Sequence, residues 1–315
     1  MAVGARPLVP SRLAPGGVVH GSTRTPTTKI RGYIALAKLR VVELLLITTV
    51  PTMVLAAKGW PGTWLVVVTL VGGTLAAGGA NAINMVIDRD IDALMVRTQG
   101  RPLVTGLITP RAALVFAVVL EVAAFAVLWA GANLLSALLT IGAMAFYVVV
   151  YTIWLKRTSR QNIVIGGAAG AVPVLVGWAA VTGSLGWAAI VLFVVMFLWT
   201  PPHFWALAIR HVDDYRAAGV PMLPAVVPLE KAVRTMVAYT VALVVASLVL
   251  IPVAELGWIY GVAAGVLGVL FVWGTVDLGR NPTPQRSMRV FAFSITYVTL
   301  LFGAMTVDVF VRYGF

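Results

Sequence analysis

The chain has 315 residues, of which 60% are hydrophobic and only 11% charged, and its mean hydropathy is +0.98. A soluble domain carries about 25% charged residues, so a water-soluble globule is excluded. Twenty-three Lys and Arg against 11 Asp and Glu give a formal charge of +12. The cations lie in short gaps between long apolar runs, which points to a membrane protein with one positive side rather than to a nucleic-acid binder. With no Cys, disulfides, iron–sulfur clusters and thiolate metal sites are excluded too.

In chain order, residues 1–31 come first, with Pro7, Pro10, Pro15 and Pro26 and no acid. They hold no apolar core long enough for a signal peptide, and the prolines oppose the amphipathic helix of a transit peptide. The expectation is a disordered basic tail before one domain, 32–315. Nine apolar stretches follow, at 41–57, 64–87, 112–130, 134–155, 163–181, 187–209, 235–254, 258–278 and 290–311. A helix needs about 20 residues to cross the hydrocarbon. The first stretch is the shortest and extends as far back as Tyr33 if it is tilted. The fold class expected is all-α: a polytopic membrane protein of nine helices around a central cavity, with its site on the cytoplasmic side.

Sidedness comes from the gaps. Arg97, Arg101 and Arg111 fill the second; Lys156, Arg157 and Arg160 the fourth; Arg210, Arg216 and Lys231 the sixth; Arg280, Arg286 and Arg289 the eighth. With nine spans, Lys58 and Arg312 alone fall on the other side. The N-terminus and long connections are thereby expected in the cytoplasm and the C-terminus outside, in a bacterial plasma membrane. Small residues crowd the second span (Gly72, Gly73, Ala76, Ala77, Gly79, Ala80) and the fifth (Gly166, Gly167, Ala169, Gly170). Such positions allow close helix packing, and they nominate these two helices for the centre of the bundle.

The sharpest motif closes the second span. Asn84, Asp88 and Asp92 recur every four residues, so on a helix they form one stripe at the membrane boundary. Three oxygen-rich side chains on one face suit a hard divalent cation such as Mg2+, which adds waters and substrate phosphate oxygens. An ordinary acidic helix end is the plainer reading. Against it, acids near a span are costly, and Asp88, Asp90, Asp92, Asp213, Asp214 and Glu230 make six of the 11 acids in two connections. Asp90 points off the stripe. Lys38, Arg40, Arg97, Arg101, Lys156 and Arg157 gather on the same side, which fits a ligand with several negative charges such as a diphosphate. For Arg111, Arg160 and Arg216 the positive-inside signal is explanation enough.

A second constellation ends the sixth span: Thr200-Pro201-Pro202-His203-Phe204-Trp205, then Arg210, His211, Asp213 and Asp214. The Pro pair is expected to disturb the helix and free carbonyls. Asp213 and Asp214 read either as a second Mg2+ site facing the stripe or as a loop-helix cap. His203 reads as a hydrogen-bonded buried histidine or as an active one. Tyr147, Tyr151, Trp154, Trp178, Phe197, Trp199, Phe204 and Trp205 supply aromatic faces, some for the membrane interface and some to stabilise a cation in a chamber.

The stripe and the segment Tyr151-Thr152-x2-Leu155-Lys156-Arg157 resemble the intramembrane aromatic prenyltransferase superfamily. The runs from Asp88 to Thr98 and from Asn162, the Thr200–Trp205 motif, and Asp213-Asp214-Tyr215-x3-Gly219-Val220-Pro221 are similar to its haem-modifying branch. The likeness spans Tyr33 to the C-terminus. It departs in two places: the second-motif acids are adjacent, with Ala217 and Ala218 following, and Lys38-Leu39-Arg40 has Leu where the family has Pro.

The resemblance implies transfer of farnesyl from farnesyl diphosphate to the 2-vinyl group of haem B, with Mg2+ as cofactor. Asn84, Asp88 and Asp92 would hold the first ion, Asp213 and Asp214 the second. Lys156 and Tyr151 would act with the stripe in catalysis. Lys38, Arg40, Arg97, Arg101, Arg157 and Arg210 would bind substrate, and His203 or His211 would orient haem. The surroundings are membrane lipid, with no nucleic acid; contact with a downstream haem A synthase or oxidase assembly factors is compatible with this role. Rival readings are prenyl transfer to a quinone-precursor ring, a secondary transporter, which Glu121 within the third span would suit, and a haem-handling assembly protein without catalysis.

Overall fold

A computed structural model describes the backbone of residues 26–38 and 40–315 and the side chains of 28–38 and 47–315. All the regular structure among them is helical. Helices α1 (Pro26–Ala37) and α2 (Arg40–Ala57) precede α3 (Thr63–Ile87), short α4 (Arg89–Leu94) and α5 (Pro110–Gly131). Then come α6 (Leu134–Thr158), α7 (Asn162–Thr182) and α8 (Trp187–Arg210). Two short helices, α9 (Val212–Ala217) and α10 (Leu223–Val226), lead into α11 (Leu229–Val253), α12 (Trp258–Arg280) and α13 (Pro284–Tyr313).

Eight helices, α3, α5 to α8 and α11 to α13, are long and apolar enough to cross a membrane. Helix α2 fills the first expected span, but its described apolar part, Ile47–Ala57, falls short of the about 20 residues a crossing needs. Among the described residues the count is therefore eight where nine were expected. Of the expected tail, residues 26–31 are helical, with Pro26 at the first position of α1, where its missing N–H is no loss. Residues 1–25 lie outside the described residues.

Successive long helices are neighbours, and α13 returns to pack on α2, so the bundle closes. Helices α3, α7 and α8 are the inner ones: 50%, 61% and 56% of their apolar windows are buried, against 17–39% for the other long helices. Small residues account for the first two, as Gly166 and Gly167 illustrate: a Cβ on either would collide with Tyr151 of α6 or Thr200 of α8. Helix α8 stays helical through Pro201 and Pro202, so the expected break there does not occur. Its turn comes at His211, which separates it from α9. The connections 88–109, 159–161, 211–228 and 281–283 share one end of the bundle, called here the acid end. Leu36 of α1 packs with Ala82, Met85, Ala113 and Ala117 at that end, and so delivers Lys38 to it.

Candidate active site

Helix α3 ends at Asp88, yet the i→i+4 pattern runs on, since the Asp92 N–H donates to the Asp88 carbonyl at 2.8 Å. Asn84, Asp88 and Asp92 therefore keep the single face that their spacing predicts. All three are buried, at 3%, 0% and 2% exposure. The Asn84 amide donates to Asp88 Oδ2 (2.7 Å) and to Thr152 Oγ1 on α6 (3.1 Å). Lys156 also pairs with Asp88, and Arg101 with Asp92. The Thr98 hydroxyl donates to the Asp92 carbonyl at 2.7 Å and turns the chain after the stripe back toward it.

Lys156 reaches the stripe because α6 changes pitch. Phe146–Leu155 is π-helical, and the Thr152 hydroxyl donates five residues back to the Tyr147 carbonyl (2.9 Å). Such widened turns concentrate at functional sites. Here one sets Tyr147 and Tyr151 in a stack, centroids 5.4 Å apart, and aims Thr152 and Lys156 at Asn84 and Asp88.

Lys38 completes the cationic side. Its backbone is left-handed, φ 48°, a strained conformation for a lysine. Burial, then the nearby Arg101 and Lys156, push its ammonium down to about 7, against the pull of Asp92 and Asp88. Arg40 opens α2, but its side chain lies outside the described residues. Arg157 clasps Asp90 at 2.6 and 2.7 Å and donates to the Ile87 carbonyl. Those hydrogen bonds hold the Asp90 carboxyl at about 2. Asp90, placed off the stripe by its spacing, is the outer clamp of α3, and Arg157, which holds it, also lies 3.8 Å from Asp88 Oδ1.

The second acidic motif is less tightly gathered. Asp213 has 94% of its side chain exposed and faces Arg216 at 3.6 Å. Asp214, 18% exposed, lies 3.7 Å from His211. Burial, then the Arg97 guanidinium, lower the His211 imidazole, while Asp214 draws it up. Arg210 is exposed at the end of α8. Among the described residues no three His, Cys, Asp or Glu side chains converge as metal ligands. Asp213 faces outward beyond the turn at His211.

His203 is a satisfied buried histidine. It shares a 2.7 Å hydrogen bond with Ser294 Oγ and stacks between Trp199 and Phe291. Trp154 and Phe204, two of the aromatic candidates, face outward at 62% and 38% exposure. Sequence reasoning quoted Thr152, Thr98 and Asn162 within its motifs but gave them no role. Asn162 is fully buried at the start of α7 with neither amide atom hydrogen-bonded; an apolar-looking helix that opens on Asn was the available signal.

A hard divalent cation fits the stripe. Asp88 Oδ1 is buried without a hydrogen-bond partner, and Asn84, Asp88 and Asp92 offer only oxygens to a metal. With too few protein ligands to enclose an ion, the remaining positions fall to water or to an anionic ligand.

The UbiA prenyltransferase family matches residues 45–298. A protoheme IX farnesyltransferase from Frankia alni is 56% identical over 282 residues, 89% of this chain and 98% of its own. One from Gloeobacter violaceus is 55% identical over 280 residues, 89% of this chain and 92% of its own. Among solved structures, one on digeranylgeranylglyceryl phosphate synthase superposes with a TM-score of 0.74 at 17% identity, covering 89% of this chain and 98% of that one. A UbiA homologue from Archaeoglobus fulgidus bound to DMAPP and Mg2+ gives 0.58 at 18% identity, covering 88% and 99%. At such identities the structural likeness speaks for the fold.

Proposed function

The chain belongs to the UbiA prenyltransferase family, and from that premise we propose that it transfers the farnesyl group of farnesyl diphosphate to the 2-vinyl group of haem B, yielding haem O and diphosphate. The observation that carries this reading is the buried Asn84–Asp88–Asp92 stripe with Lys38, Arg101 and Lys156 around it. Acids and cations so interleaved match a metal-bridged polyanion. Curated relatives more than 50% identical over about 90% of the chain are named for the farnesyl reaction, which favours it over a quinone-precursor acceptor.

Asn84, Asp88 and Asp92 would hold Mg2+, which when bound screens diphosphate oxygens and makes them a better leaving group. Asp214, the less exposed acid of the second motif, would contribute; Asp213, facing solvent, is left out. Lys156, Arg101 and Lys38 take up the charge released when the C1–oxygen bond breaks. The stacked Tyr147 and Tyr151 present ring faces on the apolar side, where the allylic cation forms. The vinyl carbon attacks C1, and water adds to the resulting ring-adjacent cation, losing a proton to leave a hydroxyl. The cations crowd the acid end, which supports a cytoplasmic site and an external C-terminus.

Purified chain incubated with farnesyl diphosphate, haem B and Mg2+ should give a farnesylated, hydrated haem by mass spectrometry. Asp88→Asn should reduce its formation by roughly a hundred-fold or more while the thermal midpoint shows a folded protein. No adduct from the unaltered chain would sink the reading; full activity in the variant would remove Asp88 from it.

A further inference from the structure

Tyr215 has no role in the reaction as derived above, and its placement calls for one. It lies on α9, across the acid end from the stripe, and is 7% exposed. It shares one buried cluster with Ile91 and Met95 on either side of Asp92, Ile163 of α7, Ala208 of α8 and Val220. Two connections far apart in sequence, 88–109 and 211–228, thus meet on one aromatic side chain. Its hydroxyl accepts a hydrogen bond from Arg97 Nη2 at 3.2 Å, and the guanidinium lies over the ring, 5.3 Å from its centroid. Arg97 itself is exposed at the rim.

An exposed arginine samples many rotamers, and ordering it on a ligand costs affinity. Stacking plus one hydrogen bond removes much of that freedom and leaves the other guanidinium donors to form a fork for phosphate oxygens. We infer that Tyr215 is a positioning residue that holds Arg97 at the mouth of the site, preset for the diphosphate of the incoming prenyl substrate. The inference rests on the prenyl-diphosphate reading above. Lysine would not serve at 97, because its ammonium lacks the planar face that the ring holds.

The test is calorimetric titration of the detergent-purified full chain with inorganic pyrophosphate and Mg2+, beside KM values for farnesyl diphosphate and for haem B. Tyr215→Phe keeps the packed ring and removes the acceptor. It should weaken pyrophosphate binding and raise the farnesyl diphosphate KM roughly five- to thirty-fold, with the haem KM unchanged. In an Arg97→Gln background the same substitution should have no further effect. Additive losses, an unchanged pyrophosphate affinity or a parallel rise in the haem KM would overturn the inference. Should Tyr215→Phe not fold, Arg97→Lys decides it: a loss as large as that of Arg97→Gln supports the preset fork, and recovery by Lys overturns it. If the unaltered chain makes no farnesylated haem, the proposed function fails; if it does and the variants behave as the unaltered chain, only the role of Tyr215 fails.

Discussion

At Lys38 the backbone is left-handed and the side chain is half-buried among like charges, two costs on one residue that the fold tolerates beside the proposed diphosphate site. With its ammonium pushed down to about 7, Lys38 is mostly neutral near pH 8 in the free protein and regains its proton when a polyanion arrives. The sign follows: pyrophosphate affinity should fall as pH rises from about 6 to about 8.5. Lys38→Arg, always charged, should flatten that component, and the difference between the two proteins cancels the titration of the ligand itself. Calorimetry in two buffers of unequal ionisation enthalpy reads the proton uptake directly; equal pH profiles would acquit Lys38 of a role. The same lowering makes folding stability rise with pH between about 7 and the free-lysine value of 10.5, because there the unfolded chain binds the extra proton. Glu121 is the other costly residue. It is 5% exposed between α3 and α5, its carboxyl unpartnered and packed where a Cβ on Gly79 would collide with it. That helix–helix contact, away from the acid end, is where the transporter reading found its support.

Among the elements, the π-helical stretch of α6 depends on Gly166. A Cβ there would lie 2.3 Å from Tyr151 Cδ2, so the ring that fills this space must move. Gly166→Ala should cost about 1–3 kcal/mol of stability and lower kcat/KM at least roughly tenfold by displacing Tyr151 and the turn that aims Thr152. Gly170→Ala is the matched control on the same helix. Nothing lies within 4 Å of its Cβ position, and by helix propensity it should be neutral or stabilising by up to about 1 kcal/mol. Thermal midpoints and steady-state rates on the pair separate the two effects. Hydropathy and charge spacing made most of these helices legible: 64–87 became Thr63–Ile87, 163–181 became Asn162–Thr182 and 187–209 became Trp187–Arg210. The stripe was legible for the same reason, a four-residue period on a helix. What composition does not encode is the change of pitch in α6, the uninterrupted passage of α8 through two prolines, and the outward turn of Asp213. Each depends on contacts between helices. Two acids outside the motifs have structural roles. Asp308 accepts from the N–H of Gly257 (2.6 Å) and Tyr260 (3.3 Å) and so caps α12, and Asp277 pairs with Arg286 at 3.0 Å.

For the molecule as a whole, the ends of the bundle differ chemically. The end opposite the site is closed by α13: Lys58 pairs with Glu255 at 3.3 Å and lies over the Tyr313 ring, and Arg312 donates to the Glu255 carbonyl. Those two cations are the whole positive complement of that end among the described residues, whereas the other described Lys and Arg lie in the connections at the acid end or in the helix ends beside them. The positive-inside rule predicts that the site faces the cytoplasm, the aqueous phase from which a water-soluble diphosphate headgroup could meet the stripe. The absence of cysteine makes this directly testable, since a single introduced thiol has no competitor. Ser184→Cys, exposed between α7 and α8, should react with a membrane-impermeant maleimide in intact cells. Asn281→Cys, exposed between α12 and α13, should react only after the cells are permeabilised. The reverse pattern would put the stripe outside, and farnesyl diphosphate would then have to cross the membrane before it could react. Labelling at both sites in intact cells would mean that the chain inserts in two orientations, and the charge asymmetry would no longer fix its topology.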